Sequence, residues 1–483
     1  MEESYSRKLP LESFKKKQVL SRPIATLLVH EVVDVIASWS DRAALLSTDG
    51  MEPRSKVHLA AVKQELTCDE LLGLGLWIDG APYNWDRTES LEIVSLNFPG
   101  LTGKDSAIRI PLCAIPKHFV ATDETFHDIM EIIVWSLRHL AVGTHPARRH
   151  DGEDWHDGDS SRRKNAEKPL RIQAALIEVR GDWLMMKEVF NLPAWNEKAG
   201  CCWLCTATPE SKRNAGLDAP WRSARLNHWQ LLERLARNGK AMSPLLSAPG
   251  IRSHCFKVDW LHAVDQGTGA DFLGNMFRIL LGKMPGRAAK DRLKELWREV
   301  LRYYEEHQVE SRLQTLTFGM IKKKNCPPKL RCKAAEARAL IPFAHLAAQK
   351  FLSDSDVTEE AAKSMANHLN VMYHALSADT IFRDDTMREH CRKFCVLYCT
   401  LEDQHKDHPQ KPWRVKPKMH LMQELCEMTD GIDPVRSWTY RDEDFGGSMA
   451  HTGQRKGGKY TAIAVSRQVL TRFVTRYDVP SIR

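Results

Sequence analysis

Residues 71–99 read LLGLGLWIDGAPYNWDRTESLEIVSLNFP and predict two β-strands joined by a turn. The first strand is the apolar run at residues 72–78, and the return strand follows at residues 91–98. Asp79 comes directly after the first run, and Gly80 and Pro82 mark the turn. Because Asp-Gly is also the commonest hairpin signal, Asp79 taken alone is either a turn residue or a rigidly held acid.

The composition is typical of a globular protein. The chain has 483 residues, of which 43% are hydrophobic and 27% charged, with a net charge of +8. This length suits one large domain or two to three ordinary ones. No window approaches the roughly 18 apolar residues of a membrane span, so we expect no membrane partner. The 12 cysteines are too sparse for a disulfide scaffold, which predicts reduced thiols or metal ligands.

The order of elements after the first hairpin suggests a fold. A third strand is predicted at residues 107–114, an amphipathic helix at 124–141 and a fourth strand at 170–179. This order resembles the opening half of a ribonuclease-H-like domain, in which the first and fourth strands are neighbours. Asp79 would then close the first strand and Asp182 would lie just past the fourth, so the two acids would face each other across a cleft.

Four segments are predicted from the change in pattern along the chain. Residues 1–70 are interpreted as a mainly helical arm, and residues 71–206 as the first part of the core. Residues 207–410 are almost wholly helical in periodicity, and residues 411–483 are interpreted as the last part of the core. The predicted fold class is therefore mixed α/β, with a ribonuclease-H-like core interrupted by a large helical insertion.

Cys202 and Cys205 have CxxC spacing in the sequence AGCCWLC. Two thiolates on a tight turn can occupy two corners of a tetrahedral zinc site. A thioredoxin-like redox pair and a buried pair without metal are the alternatives. A zinc site is favoured, and its other ligands must then come from far along the chain.

Two further features have both a functional and a structural interpretation. In KVDWLHAVD, His262 is a candidate ligand, or Asp259 caps a helix and His262 is packed. Residues 321–333 and 411–418 contain several basic residues and no acidic ones. These two basic runs are either solvated surface or a nucleic-acid track. Their basic residues, taken as candidate DNA contacts, are Lys322, Lys323, Lys324, Lys329, Arg331, Lys333, Arg414, Lys416 and Lys418.

Five short blocks, in order, resemble eukaryotic DDE/D cut-and-paste transposases of the CACTA and Plavaka-like (KDZ) superfamilies. They are IDGAPYNWDRTESLEIVSLNFPG, GDWLMMKEVFNLPAWNEKAGCCWLC, KVDWLHAVDQGTGADFLGNMF, KPKMHLMQEL and PVRSWTYRDEDFGG. The resemblance covers roughly residues 70–460. It implies that Asp79, Asp182 and Glu443 are the three catalytic acids, with Glu443 preferred over Asp444 because it fits the E-x-x-G-G spacing.

The resemblance also implies metal ligands. Cys202 and Cys205 match the CxxC of the family, and His262 matches its Leu-His position. His420 lies where related recombinase folds place a zinc histidine, and Cys426 is a candidate fourth ligand. This zinc would be structural.

The implied activity is DNA strand cleavage and joining with two Mg²⁺ ions held by the acids, because Mg²⁺ prefers hard oxygen ligands. The expected partner is double-stranded DNA, bound by a homo-oligomer, and the expected location is nuclear. The alternative is a domesticated or decayed transposase that binds DNA without catalysis.

Overall fold

The computed structural model describes residues 5–12, 19–84, 86–121, 124–376, 382–427, 433–454 and 460–482, and side chains from residue 21 onward. The chain is mixed α/β and divides into two compact units. The first unit comprises residues 1–194, 226–257 and 439–483, and the second comprises residues 195–225 and 258–438. The predicted boundaries at 206/207 and 410/411 do not coincide with these units, because the CxxC segment and the segment at 411–438 both belong to the second unit.

Among the described residues, every strand belongs to the first unit. The strands are β1 (Tyr5–Glu12), β2 (Val19–Thr26), β3 (Leu72–Pro82), β4 (Ser90–Asn97), β5 (Arg109–Pro116) and β6 (Ala174–Arg180). Its helices are α1 (Val29–Trp39), α2 (Arg42–Leu45), α3 (Pro53–Glu65), α4 (Glu124–Val142), α5 (Ser160–Asn165), α6 (Trp183–Phe190), α8 (His228–Arg237), α16 (Tyr440–Gly453) and α17 (Ala462–Arg476).

A four-stranded mixed sheet forms the centre of this unit, with the strand order β5-β4-β3-β6. β3, β4 and β5 pair antiparallel, and β6 pairs parallel to β3. β6 is buried along its whole length, and β3 and β4 are buried along most of theirs, as expected for strands covered on both faces. The prediction that the first and fourth core strands are neighbours is confirmed.

The interpretation of residues 1–70 as mainly helical is wrong at its beginning. β1 and β2 form a separate two-stranded antiparallel ribbon before α1. Pro10 and Pro23 lie within these strands, and proline cannot donate to a sheet ladder. In a two-stranded ribbon both strands are edges, so the missing N–H groups are tolerated, and the prolines had hidden the strand pattern.

The second unit is helical in its described parts. Its α-helices are α7 (Pro220–Ser223), α9 (Gly269–Lys283), α10 (Ala289–Glu306), α11 (Phe318–Ile321), α12 (Ala334–Phe351), α13 (Val357–Ala375), α14 (Asp384–Gln404) and α15 (Pro417–Glu427), and a π-helical segment spans Leu261–Thr268. The longer helices agree with the predicted periodicity within a few residues. Among the described residues of the whole chain, no helix combines the length and apolar character that crossing a bilayer requires.

Candidate functional site

Four buried side chains of the second unit form a metal-ligating group. Cys202 and Cys205 come from the loop before α7, and His420 and Glu424 lie one turn apart on α15. One ligand atom of each lies within 4.8 Å of the others. All four are at most about 1% exposed, so the group is shielded from solvent.

The distances within this group fit tetrahedral coordination. The Cys205 Sγ to His420 Nε2 distance is 3.4 Å, and His420 Nε2 lies 3.4 Å from Glu424 Oε1. Cys202 Sγ lies 3.7 Å from the same Glu424 oxygen. Ordinary zinc–ligand bond lengths arranged tetrahedrally give S–N and S–O edges of roughly 3.6 Å and an N–O edge of roughly 3.4 Å. The donor set and its dimensions therefore suit Zn²⁺.

The charges in the group also suit a cation. Burial opposes ionisation of the Cys202 thiol, yet hydrogen bonds from Cys205 and His420 lower its pKa to about 6. The pKa of Glu424 is lowered to about 2 despite its burial, because His420 and Arg225 both stabilise the carboxylate. Arg225 forms an ion pair with Glu424 at 2.8 Å, and the ring of Trp221 packs edge-on against His420. These contacts hold the side chains of Glu424 and His420 in place.

Glu424 occupies the fourth position for which Cys426 was the candidate. Positions four apart on a helix share a face, so Glu424 points with His420. Cys426, two residues further on, points to Cys391 instead and exchanges a hydrogen bond with it. The H-x-x-x-E spacing in the sequence could have identified Glu424.

His262 lies outside this four-residue group. Its ring Nδ1 is 2.7 Å from Asp259 Oδ2, and the same oxygen accepts its backbone N–H at 2.9 Å. Asp259 also accepts the N–H of Leu261, so it caps the π-helical segment. Within the second unit, this geometry agrees with the interpretation in which Asp259 caps a helix and His262 is packed.

In the first unit, Asp79 and Glu443 are brought together from distant parts of the sequence. An oxygen of each carboxylate lies within 4.8 Å of the other. The strand that carries Asp79 does not end there as predicted, because β3 continues to Pro82 with Asp79 opposite Ile93.

Close packing of α16 on β3 explains the meeting of these acids. A Cβ atom at Gly446 would lie 2.7 Å from Cη2 of Trp77, so only glycine permits this approach. Trp77 lies two residues before Asp79, and Glu443 lies about one turn before Gly446. The sequence Glu-x-x-Gly thus places its acid beside the sheet.

A buried ion network fixes the start of α16. Asp442 is fully buried and binds Arg109 of β5, and Arg180 of β6 approaches it at 3.3 Å. Arg180 also binds Glu178 on its own strand. The residue next to Glu443 is therefore tied to two strands of the sheet.

Asp182 lies just past the end of β6, the strand next to β3. Trp77 pairs with Arg180 in the parallel ladder, and Asp79 and Asp182 each lie two residues beyond that pair. Asp182 caps α6 by accepting the N–H of Met185 at 2.7 Å. Among the described residues, no group of three or more metal-ligating side chains includes Asp182.

The two basic runs converge in the second unit. Lys416 forms a 2.5 Å ion pair with buried Asp271, and Lys329 donates to Gln266 O at 2.6 Å. Burial lowers the pKa of Lys329, and the charges of Lys418 and Lys416 lower it further while Asp271 opposes them.

The other predicted DNA contacts vary in exposure. Lys323, Lys324, Lys333 and Arg414 are exposed, whereas Lys322 and Arg331 are partly buried. Arg331 donates to the carbonyl oxygen of Gly319 at 3.3 Å.

No protein-family model matches the sequence, and no curated protein matches it significantly.

Proposed function

We propose that this chain is a DDE-type transposase-like protein that cleaves and joins DNA strands by two-metal-ion phosphoryl transfer. The observation that carries the proposal is the meeting of the Asp79 and Glu443 carboxylates, with oxygens within 4.8 Å of one another. The narrower proposal, that the protein belongs to the CACTA and Plavaka-like group, rests on the five short sequence blocks that resemble that group.

The sheet topology supports a ribonuclease-H-like assignment of the core. The order β5-β4-β3-β6, with only β6 parallel to β3, is the order expected for the opening half of that fold. Asp79 lies in β3, and Asp182 lies two residues past the end of the neighbouring β6. Asp182 would join the other two acids by turning from its helix-capping position.

The donor atoms available at Asp79 and Glu443 are carboxylate oxygens, which suit Mg²⁺ better than nitrogen or sulfur ligands. In the proposed site Asp79, Asp182 and Glu443 would together hold the two Mg²⁺ ions. Bound Mg²⁺ would activate the attacking water or 3′-hydroxyl and stabilise the leaving oxygen. Arg109, Arg180 and Asp442 keep Glu443 in position.

We assign the Cys202, Cys205, His420 and Glu424 group to a structural Zn²⁺. Four protein ligands leave no open position for substrate, which is the usual arrangement of structural zinc. The ion would join the loop before α7 to α15 within the second unit.

Double-stranded DNA is the proposed partner, with assembly of a homo-oligomer on DNA and a nuclear location. The exposed Lys323, Lys324, Lys333 and Arg414 would neutralise backbone phosphates, and this binding would weaken as salt rises. Lys416 contributes less to this binding because Asp271 already pairs with it.

A non-catalytic DNA-binding derivative is the second candidate. Asp182 already has a structural task as the cap of α6, so its presence does not require a metal. This candidate keeps the fold, the zinc group and the basic residues.

Incubation of the full-length protein with supercoiled plasmid and a short duplex in Mg²⁺ or Mn²⁺ separates the two candidates. We expect nicking or end cleavage that Asp79→Asn and Glu443→Gln each reduce by about 10²-fold or more. Asp444→Asn, an exposed neighbour, is the matched control and should retain activity. DNA binding without metal-dependent cleavage by any of these proteins would favour the second candidate.

A further inference from the structure

A second group of metal-ligating side chains lies in the first unit, apart from the acids. It consists of His58 on α3 and of His254 and Cys255 on the short 3₁₀ turn Ser253–Cys255. One ligand atom of each lies within 4.8 Å of the others. The proposed DNA chemistry uses none of them.

The distances in this group resemble those of a coordination shell. Cys255 Sγ lies 3.4 Å from His58 Nε2, close to the S–N edge of roughly 3.6 Å in tetrahedral zinc sites. The rings of His58 and His254 are 4.5 Å apart and nearly perpendicular. The carbonyl oxygen of Gly250 accepts a hydrogen bond from His58 Nε2 at 2.6 Å and lies 3.6 Å from Cys255 Sγ, so a metal bound at Nε2 would replace this hydrogen bond.

Both imidazoles are held in the neutral form that a metal requires. Burial lowers the pKa of His58, and burial is also the main reason why the pKa of His254 is lowered to about 3. In the described part of the chain, the buried Nε2 of His254 has no hydrogen-bond partner. A buried polar atom of this kind is normally satisfied by a protein group, a water molecule or an ion.

Two of the cations near this cluster already have an acidic partner. Lys257 pairs with Glu52 at 2.8 Å, and Arg252 pairs with Glu65 at 2.8 Å. The positive charge of these two side chains is therefore partly compensated.

We propose that His58, His254 and Cys255 bind a Zn²⁺ ion, with a water molecule as the fourth ligand. Nitrogen and thiolate donors select zinc over Mg²⁺. The ion would clamp α3 to the segment that ends at Lys257, whose backbone N–H donates to Val179 O of β6 at 2.9 Å. This second zinc would stabilise the sheet-bearing unit independently of the group on α15.

Metal counting on the full-length protein tests this proposal. After chelation under reducing conditions, the protein is titrated with Zn²⁺, and with Co²⁺ as a spectroscopic reporter of thiolate ligands. We expect two tightly bound ions per wild-type chain and one in Cys255→Ser and in His254→Gln. Cys68→Ser, a change at a partly exposed cysteine of the same unit, is the matched control and should keep two.

A wild-type stoichiometry of one, unchanged by both substitutions, would overturn the proposal. If the variants fail to fold, alkylation of the wild type read out by peptide mass spectrometry replaces them. Zinc should then slow the labelling of Cys255, and equal labelling with and without zinc would refute the site. Glu443→Gln should still bind two ions, which separates this result from failure of the proposed DNA chemistry.

Discussion

Two adjacent glycines on α16 allow a matched test of how Glu443 reaches the sheet. A Cβ atom at Gly446 would lie 2.7 Å from Cη2 of Trp77, whereas a Cβ at Gly447 would meet no atom within 4 Å. The same change to alanine thus adds one methyl group to a tight contact in one case and to open space in the other.

The expected changes in the free energy of unfolding follow from these two environments. Gly447→Ala should stabilise the protein by about 0.4–1 kcal/mol, because alanine restricts the unfolded chain and favours the helix. Gly446→Ala gains the same stabilisation from the alanine, but its methyl group must displace Trp77 or α16. Overpacking of this kind costs about 1–3 kcal/mol. Gly446→Ala should therefore be less stable than Gly447→Ala by about 1–3 kcal/mol.

Thermal unfolding of both variants and the wild type measures this difference. For a unit of this size the gap corresponds to about 2–5 °C in melting temperature. Gly446→Ala should also lose DNA cleavage, since a shift of α16 moves Glu443, while Gly447→Ala should retain it. Equal melting temperatures and equal activities would refute the packing argument.

Three further predictions concern other parts of the molecule. Asp442→Ala should destabilise the protein by about 3–5 kcal/mol in urea unfolding, because it leaves two buried arginines without their shared acid. Glu424→Ala should lose the structural zinc in metal analysis, whereas Cys426→Ala should retain it, because only Glu424 lies with the other ligands. Burial and the nearby His390 lower the pKa of His368 to about 4, below the value of 6.5 for an unperturbed histidine. The unfolded chain then binds a proton that the folded chain does not, so stability should fall as pH drops from about 6.5 to about 4. Urea midpoints across this range should fall less steeply in His368→Gln than in the wild type.

Each of these predictions has an outcome that contradicts it. Asp444→Ala, at an exposed site in the same helix, should change stability by no more than about 0.5 kcal/mol. If Asp442→Ala lost no more stability than Asp444→Ala, the buried ion network would not contribute to stability. Loss of zinc in Cys426→Ala but not in Glu424→Ala would reverse the ligand assignment. Parallel pH profiles for His368→Gln and wild type would show that this histidine pair does not set the acid sensitivity.

Local periodicity predicted most individual elements. The hairpin of β3 and β4 and the long helices α9, α10, α12 and α13 follow directly from strand and helix patterns in the sequence. The adjacency of β3 and β6 was predicted only through the order of elements and its resemblance to a known fold.

Long-range contacts were harder to predict. The division into units depends on which surfaces bury each other, so residues 226–257 join the first unit although the sequence around them is helical. The choice of Glu424 over Cys426 depends on helix phase, which the sequence-based choice of Cys426 did not take into account. The network around Asp442 depends on arginines of two strands, and no sequence spacing connects them.

Anomalous diffraction from crystals of the protein soaked in Mn²⁺ tests the central claim most directly. The account predicts a manganese peak about 2.0–2.2 Å from carboxylate oxygens of both Asp79 and Glu443, with Asp182 turned toward it, and no such peak in Glu443→Gln. A wild-type crystal without a peak between these two carboxylates, or with manganese bound only elsewhere, would contradict the account.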